Sequence, residues 1–110
     1  MTTTVFVTLG VEGLHNWPDC DIEEVSFLRA THRHIFGVKC YFPVRHDCRD
    51  VEFIVAKRRV TSYLREKYGD GVCDFGAMSC EMIAKDLVER FSLAKCVVDE
   101  DGENGAEVVA

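Results

Sequence analysis

Two long stretches of alternating residues constrain the fold of this chain more than any other feature. Residues 3–15 and 32–44 alternate over most of their length, a pattern that predicts β-strands. Every second residue from Val5 to His15 shares one face of the first strand, and every second residue from His32 to Phe42 shares one face of the second. If the two strands pair antiparallel, the end of the first lies beside the start of the second.

Three histidines lie on the apolar faces of these strands, and the predicted pairing brings them together. They are His15, His32 and His34. A slip of one residue in either strand would separate them, so their convergence depends on register. Three neutral imidazoles around one open position are typical of a catalytic or ligand-binding zinc site. The alternative is that they are ordinary sheet histidines bonded to the backbone. We predict a Zn2+ site formed by the three histidines.

The rest of the chain predicts an α+β fold in a single domain, residues 1–110. Residues 23–29 are compatible with either a short edge strand or a loop. Asp50 is a candidate N-cap for a helix over residues 51–68, and Ser79 is a candidate cap for a second helix ending near residue 91. Two further strands are expected at residues 95–99 and 106–109. The order ββααββ predicts a four-stranded antiparallel sheet with both helices on one face.

Composition narrows the class of protein. The net charge of −6 argues against a surface for nucleic acid or an anionic membrane, and no apolar run is long enough to span a bilayer. The N-terminus carries no positive region or signal-peptide core, and the six cysteines form no Cys-x-x-Cys pair. We therefore expect reduced thiols in a cytoplasmic protein. The second sheet face carries Phe6, Ile35 and Tyr41 among polar residues, which favours packing against another subunit.

Four short motifs, in order, resemble those of one enzyme family. A first-strand histidine, His15, precedes a His-x-His formed by His32 and His34, with Arg33 where glycine is usual. Glu52-Phe53 resembles an Asp-Phe pair at the start of the first helix. Met78-Ser79-Cys80-Glu81 resembles Pro-Thr-x-Glu at the second helix, and Glu100-Asp101 resembles a Glu-Thr pair after the third strand. Together they resemble the tunnelling-fold family of 6-pyruvoyl-tetrahydropterin synthase and 6-carboxy-tetrahydropterin synthase of the 7-deazaguanine pathway.

The resemblance implies a zinc-dependent, lyase-type tetrahydropterin synthase or a relative of one. It implies that the three histidines bind zinc and that Glu100 holds the ring of a pterin, with Ser79 and Glu81 nearby. A carboxylate suits that role because it accepts two parallel hydrogen bonds from adjacent N–H groups of a pterin or guanine ring. The resemblance also implies a homo-oligomer, trimer, tetramer or hexamer, with sites between subunits.

The sequence departs from the family at its catalytic residues. The enzymes carry a cysteine shortly before His-x-His, whereas the nearest upstream cysteine here is Cys20. They also carry an Asp-His pair between the helices, where this chain has no histidine; its only other histidine is His46. Cys20 and His46 are therefore the candidate acid–base residues. Three functions stay open: an enzyme acting on a dihydropterin triphosphate, a non-catalytic binder of a pterin, deazapurine or purine nucleotide, and a structural oligomer without a ligand.

Overall fold

The computed structural model describes residues 1–110 and confirms a mixed α+β architecture. Along the chain the elements are β1 (Thr4–His15), a 3₁₀ helix (Glu23–Arg29), β2 (His32–Pro43), α1 (Phe53–Tyr68), β3 (Val72–Asp74), α2 (Cys80–Phe91), β4 (Lys95–Glu100) and β5 (Asn104–Val109). The strands form one five-stranded sheet in the order β3-β1-β2-β4-β5.

The β1–β2 ribbon is the centre of the sheet, and it has the register that the histidine phase predicts. The two strands pair antiparallel over their full length, with Thr4 opposite Pro43 at one end and His15 opposite His32 at the other. Alternate residues face the core, as expected from the period of a strand. Val7, Phe36 and Val38 are at most 4% exposed. The sequence pattern therefore predicted both the pairing and the buried face.

Both helices pack on this buried face, as predicted. The core-facing stripe of α1 is Ala56, Val60 and Leu64, and that of α2 includes Ile83, Ala84 and Leu87. These residues belong to one cluster of 18 buried side chains. Neither helix combines the length and apolar character that a membrane crossing requires.

The first helix begins two residues later than predicted because a different carboxylate caps it. Asp50 accepts hydrogen bonds from the backbone and side chain of Arg45 and is not the cap. Glu52 is the N-cap instead, and its carboxylate accepts from the backbone N–H of Ile54 at 2.8 Å. Phe53, the first residue of α1, is 57% exposed and does not join the core.

The prediction of a purely antiparallel, four-stranded sheet is wrong. Gly69 and Gly71 adopt positive φ angles of 130° and 92°, which reverse the chain after α1. β3 (Val72–Asp74) then pairs parallel with Glu12–Leu14 of β1, which adds one strand to the four that were predicted. Residues 23–29 form neither of the alternatives left open, because they fold into a 3₁₀ helix with a kink at Val25.

The second face of the sheet has no helix on it. Phe6 and Ile35 on this face are 52% and 43% exposed. The Lys39 ammonium lies 4.3 Å from the centre of the Phe6 ring and 5.2 Å from that of Tyr41. The apolar side chains here are thus partly covered by a cation and otherwise open.

Candidate metal centre

The three histidines meet at one end of the β1–β2 ribbon. His15 ends β1 opposite His32, and His34 lies opposite Gly13. The ring centres are 4.6 Å apart for His15 and His32, 5.4 Å for His15 and His34, and 5.1 Å for His32 and His34. One nitrogen from each ring lies within 4.8 Å of the others. The three rings are therefore close enough to hold a metal ion.

Each ring is held in place through its Nδ1 atom. His15 Nδ1 bonds the carbonyl oxygen of Met78 at 2.9 Å, and His32 Nδ1 bonds that of Ala30 at 2.8 Å. His34 Nδ1 bonds the carboxylate of Asp101 at 2.7 Å. Metal-binding histidines usually donate their second N–H in this way, which sets the ring orientation and the tautomer. All three histidines have such a partner.

These partners determine which nitrogen is left for a metal. Carbonyl and carboxylate oxygens only accept hydrogen bonds, so each Nδ1 must carry the proton and donate it. In a neutral imidazole, Nε2 then presents a lone pair. The Nε2 atoms of His15 and His34 are buried and have no hydrogen-bond partner. Because an unsatisfied buried polar atom is costly, these two atoms fit a site that takes a cation.

Asp101 is positioned by the turn between β4 and β5. It adopts a left-handed backbone conformation, with φ of 58°, which aspartate tolerates better than most residues. Its other carboxylate oxygen accepts from the backbone N–H of Ile35 at 2.8 Å. The hydrogen bonds from His34 and from the Ile35 backbone hold the pKa of Asp101 below its ordinary value. Asp101 is thus an ionised acceptor that orients His34.

A phenyl ring packs against two of the histidines on the side that faces the hydrophobic core. The fully buried Phe36 ring makes edge contacts with His15 and His34, at centre distances of 5.1 and 5.6 Å. Phe36 and Phe75 also contact each other across Gly13, where a Cβ atom would lie 2.8 and 2.7 Å from the two rings. Only glycine leaves room for this packing, so Gly13 helps to set the position of the histidines.

A cavity of about 480 Å³ opens beside His15 and His32. This volume lies within the range of small-molecule sites. The three residues that the family resemblance singled out for ligand binding, Ser79, Glu81 and Glu100, all line it. The Ser79 hydroxyl also caps α2 by accepting from the backbone N–H of Met82 at 3.2 Å.

The Glu100 carboxylate lies between the cavity and two of the histidines. Its Oε2 is 3.1 Å from His15 Nε2, and its Oε1 is 3.5 Å from His34 Nε2. On its other side, the Cys80 thiol donates weakly to Oε2 at 3.9 Å. Burial, together with the nearby carboxylates, raises the pKa of Cys80 to about 12, so the thiol is protonated at neutral pH.

The two candidate acid–base residues lie away from this cluster within one chain. Cys20 is 2% exposed, and its thiol points to the carbonyl oxygens of Ile22 and Val25. His46 lies three residues beyond Pro43, the far end of β2, and the strand itself is about 35 Å long from His32 to Pro43. It is exposed there, with Nε2 3.4 Å from Asp50. The structure does not bring either residue to the cavity, and their catalytic role stays a prediction.

A larger concavity exists elsewhere, but it lacks the chemistry of the histidine site. It has a volume of about 820 Å³ and lies between β1 and α1, where Phe6, Phe53 and Lys57 are among its lining residues. No group of metal-ligating side chains is found there. The smaller cavity beside the histidines is therefore the candidate functional site.

Sequence reasoning missed the residues that support the ligands. Asp101 could have been found by extending the β2–β4 register, because Phe36 pairs with Glu100 and the next residue then faces Ile35. The carbonyl groups of Met78 and Ala30 leave no signal in side-chain patterns. Cys80 reaches the site only because α2 packs on β4, which brings its thiol to Glu100.

Comparison with other proteins does not assign a family: no family model matches the chain, and no curated protein matches it.

Proposed function

We propose that this chain is a zinc-dependent protein that takes a pterin- or purine-type ring, built on the tunnelling fold. One observation carries the proposal. Three histidines have their Nδ1 atoms tied to oxygen acceptors, and two of their Nε2 atoms are buried without a partner beside a cavity of about 480 Å³. The motifs that resemble those of the tetrahydropterin synthases supply the choice of metal and of ring.

Zinc suits the three imidazoles because it favours nitrogen ligands and commonly takes three of them in sites that act on a ligand. His15, His32 and His34 would hold it. When bound, zinc acts as a Lewis acid that polarises an oxygen atom of the ligand. The chain itself orients the imidazoles through Met78 and Asp101 and supports them on Phe36.

The cavity wall supports the choice of a planar, nitrogen-rich ligand. Glu100 and Glu81 supply carboxylates that accept from ring N–H groups, and Ser79 supplies a hydroxyl. Trp17 adds aromatic surface on the same wall. A few polar groups in a largely apolar pocket are typical of sites that fix the orientation of a heterocycle.

Whether the ligand is converted or only bound separates two versions of the proposal. A synthase-type lyase needs a proton donor and acceptor within about 3 Å of the reacting atoms. Within one chain, Cys20 and His46 do not reach the cavity, which favours the non-catalytic binder or sequesterer of a purine-type nucleotide. Incubating the zinc-loaded protein with dihydroneopterin triphosphate distinguishes them, because product formation supports the lyase and an unchanged substrate that still binds supports the binder.

We further propose a homo-oligomer. The uncovered sheet face, with Phe6 and Ile35 about half exposed, supports this, because apolar residues on an open face favour burial against another subunit. Sedimentation equilibrium tests it: a mass of three, four or six chains is expected. A monomer at all concentrations would contradict it.

Isothermal titration of the zinc-loaded protein with neopterin, 7-deazaguanine and guanosine nucleotides tests the ligand class. At least one of these compounds should bind to the wild type, and His32→Ala should abolish the binding. His46→Ala is the matched control, since it removes an exposed imidazole far from the cavity. If no compound binds to zinc-loaded wild type, the ring-binding proposal fails.

A further inference from the structure

The Glu100 carboxylate straddles the two buried nitrogens that have no partner. Its two oxygens lie 3.1 Å from His15 Nε2 and 3.5 Å from His34 Nε2. Neither contact has the geometry of a hydrogen bond, and both nitrogens are therefore left without a hydrogen-bond partner. Glu100 itself is partly buried, with 28% of its side chain exposed. A close approach without a hydrogen bond therefore needs another explanation.

While the two imidazoles are neutral, the polarity of the groups makes the contact unfavourable unless the atoms share a cation. His15 and His34 donate from Nδ1 to oxygen acceptors, so each Nε2 carries a lone pair. A carboxylate oxygen is also rich in electrons and can only accept. Two such atoms facing each other in a region of low dielectric repel, and a positive ion between them converts the repulsion into attraction.

The two distances are close to the separation of atoms that bind one metal ion. Zinc binds nitrogen and carboxylate oxygen at about 2.0–2.2 Å in a tetrahedral arrangement, which places neighbouring ligand atoms about 3.3–3.5 Å apart. Glu100 Oε2 lies 3.1 Å from His15 Nε2 and Glu100 Oε1 lies 3.5 Å from His34 Nε2, so the carboxylate borders the group of three histidines and can turn one oxygen to an ion held there. The Cys80 thiol donates weakly to Glu100 and so helps to orient the carboxylate.

We propose that Glu100 is the fourth protein ligand of the metal in the ligand-free protein. The inference rests on the metal site proposed above and deepens it. The ligand-free site is then closed, with three imidazoles and one carboxylate around the ion, and a small molecule must displace Glu100 to reach it. Once displaced, the same carboxylate can accept hydrogen bonds from the N–H edge of a ring. Glu100 would then bind the metal in the free protein and the small molecule in the complex.

Cobalt substitution and zinc affinity test this assignment in the wild type, Glu100→Gln and Glu103→Gln. Glu103→Gln is the matched control, because it makes the same change three residues away, at an exposed position in the turn after β4. The wild type and Glu103→Gln should give the strong visible absorption of four-coordinate Co2+. Glu100→Gln should show weaker, shifted bands and a zinc Kd raised by at least the roughly 10–100-fold that loss of a ligand's outer partner causes. Far-ultraviolet circular dichroism checks that each variant is folded.

The outcomes separate this inference from the proposed metal site. If the wild type binds zinc tightly and Glu100→Gln matches it in Kd and cobalt spectrum, Glu100 is not a ligand and the three-histidine site stands. If the wild type binds neither ion, both proposals fail. Glu100 would then form an ion pair with a protonated histidine, and no metal dependence would be found.

Discussion

The hydrogen bond between Asp101 and His34 allows a sharp test of how the site is tuned. In the wild type, Asp101 Oδ1 accepts from the backbone N–H of Ile35 at 2.8 Å. In Asp101→Asn, a side-chain oxygen must still accept this hydrogen bond. The amide oxygen takes this position, so the amide NH₂ faces His34 Nδ1, which lies 2.7 Å from the native carboxylate. Two donors then meet, and the favoured response is a change of tautomer that moves the proton to Nε2.

A protonated Nε2 cannot bind a metal, so the substitution should weaken zinc binding while leaving the fold intact. Changing a hydrogen-bond partner of a ligating histidine typically costs about 10–100-fold in metal affinity. We expect a loss in the upper part of that range, because the substitution reverses the polarity of the partner as well as removing its charge. The assay is a competition titration against a chromophoric chelator at pH 7.

Asp99→Asn is the matched control for this experiment. It removes the same charge two residues earlier, near the end of β4, and Asp99 accepts from the backbone N–H of Gly102 rather than from a histidine. Its zinc Kd should stay within about twofold of the wild type, since its contacts do not reach the ligands. Equal zinc affinities for Asp101→Asn and the wild type would refute the tautomer reasoning.

Three further predictions concern the rest of the molecule. Burial alone raises the pKa of Asp86, but hydrogen bonds from Lys67, Tyr68 and Tyr63 hold it below its ordinary value overall. Asp86 therefore stabilises the fold above the ordinary pKa of an aspartate, and this contribution is lost as the pH falls through the lowered value. Asp86→Asn should cost about 1.5–3 kcal/mol at pH 7 in urea unfolding, and the difference should shrink as the pH falls through the lowered pKa; a loss that does not change with pH would contradict this. Gly13→Ala should destabilise the protein by about 1–3 kcal/mol in the same assay, because the added methyl group overlaps two phenyl rings, and an unchanged midpoint would show that the rings yield. A thiol reagent should modify one cysteine per native chain quickly, the exposed Cys48, and should reach the five buried thiols only on unfolding; two or more fast thiols would contradict the described burial.

The strands and the histidine cluster could be predicted because period-two patterns encode both face and register. His15, His32 and His34 fall in phase with the apolar residues of their strands, so placing the apolar faces together places the imidazoles together. In α2 the helical period likewise puts Ile83, Ala84 and Leu87 on one face, and that face is buried.

The parts that were missed depend on short or non-local features. β3 has three residues, too few to show a period, and it exists because two glycine turns bring it beside β1. Asp50 does not cap α1 because its carboxylate accepts from Arg45, and Glu52 is the N-cap instead. Asp101 and Cys80 join the site only through packing of β2, β4 and α2, which no local pattern records.

The metal content of zinc-loaded, dialysed protein tests the central claim most directly. Elemental mass spectrometry should find one zinc ion per wild-type chain. It should find none in a variant in which His15, His32 and His34 are all replaced by alanine. His46→Ala should keep the full complement of zinc. A wild type without zinc, or a triple variant that retains it, would contradict the assignment of these three imidazoles as the metal site.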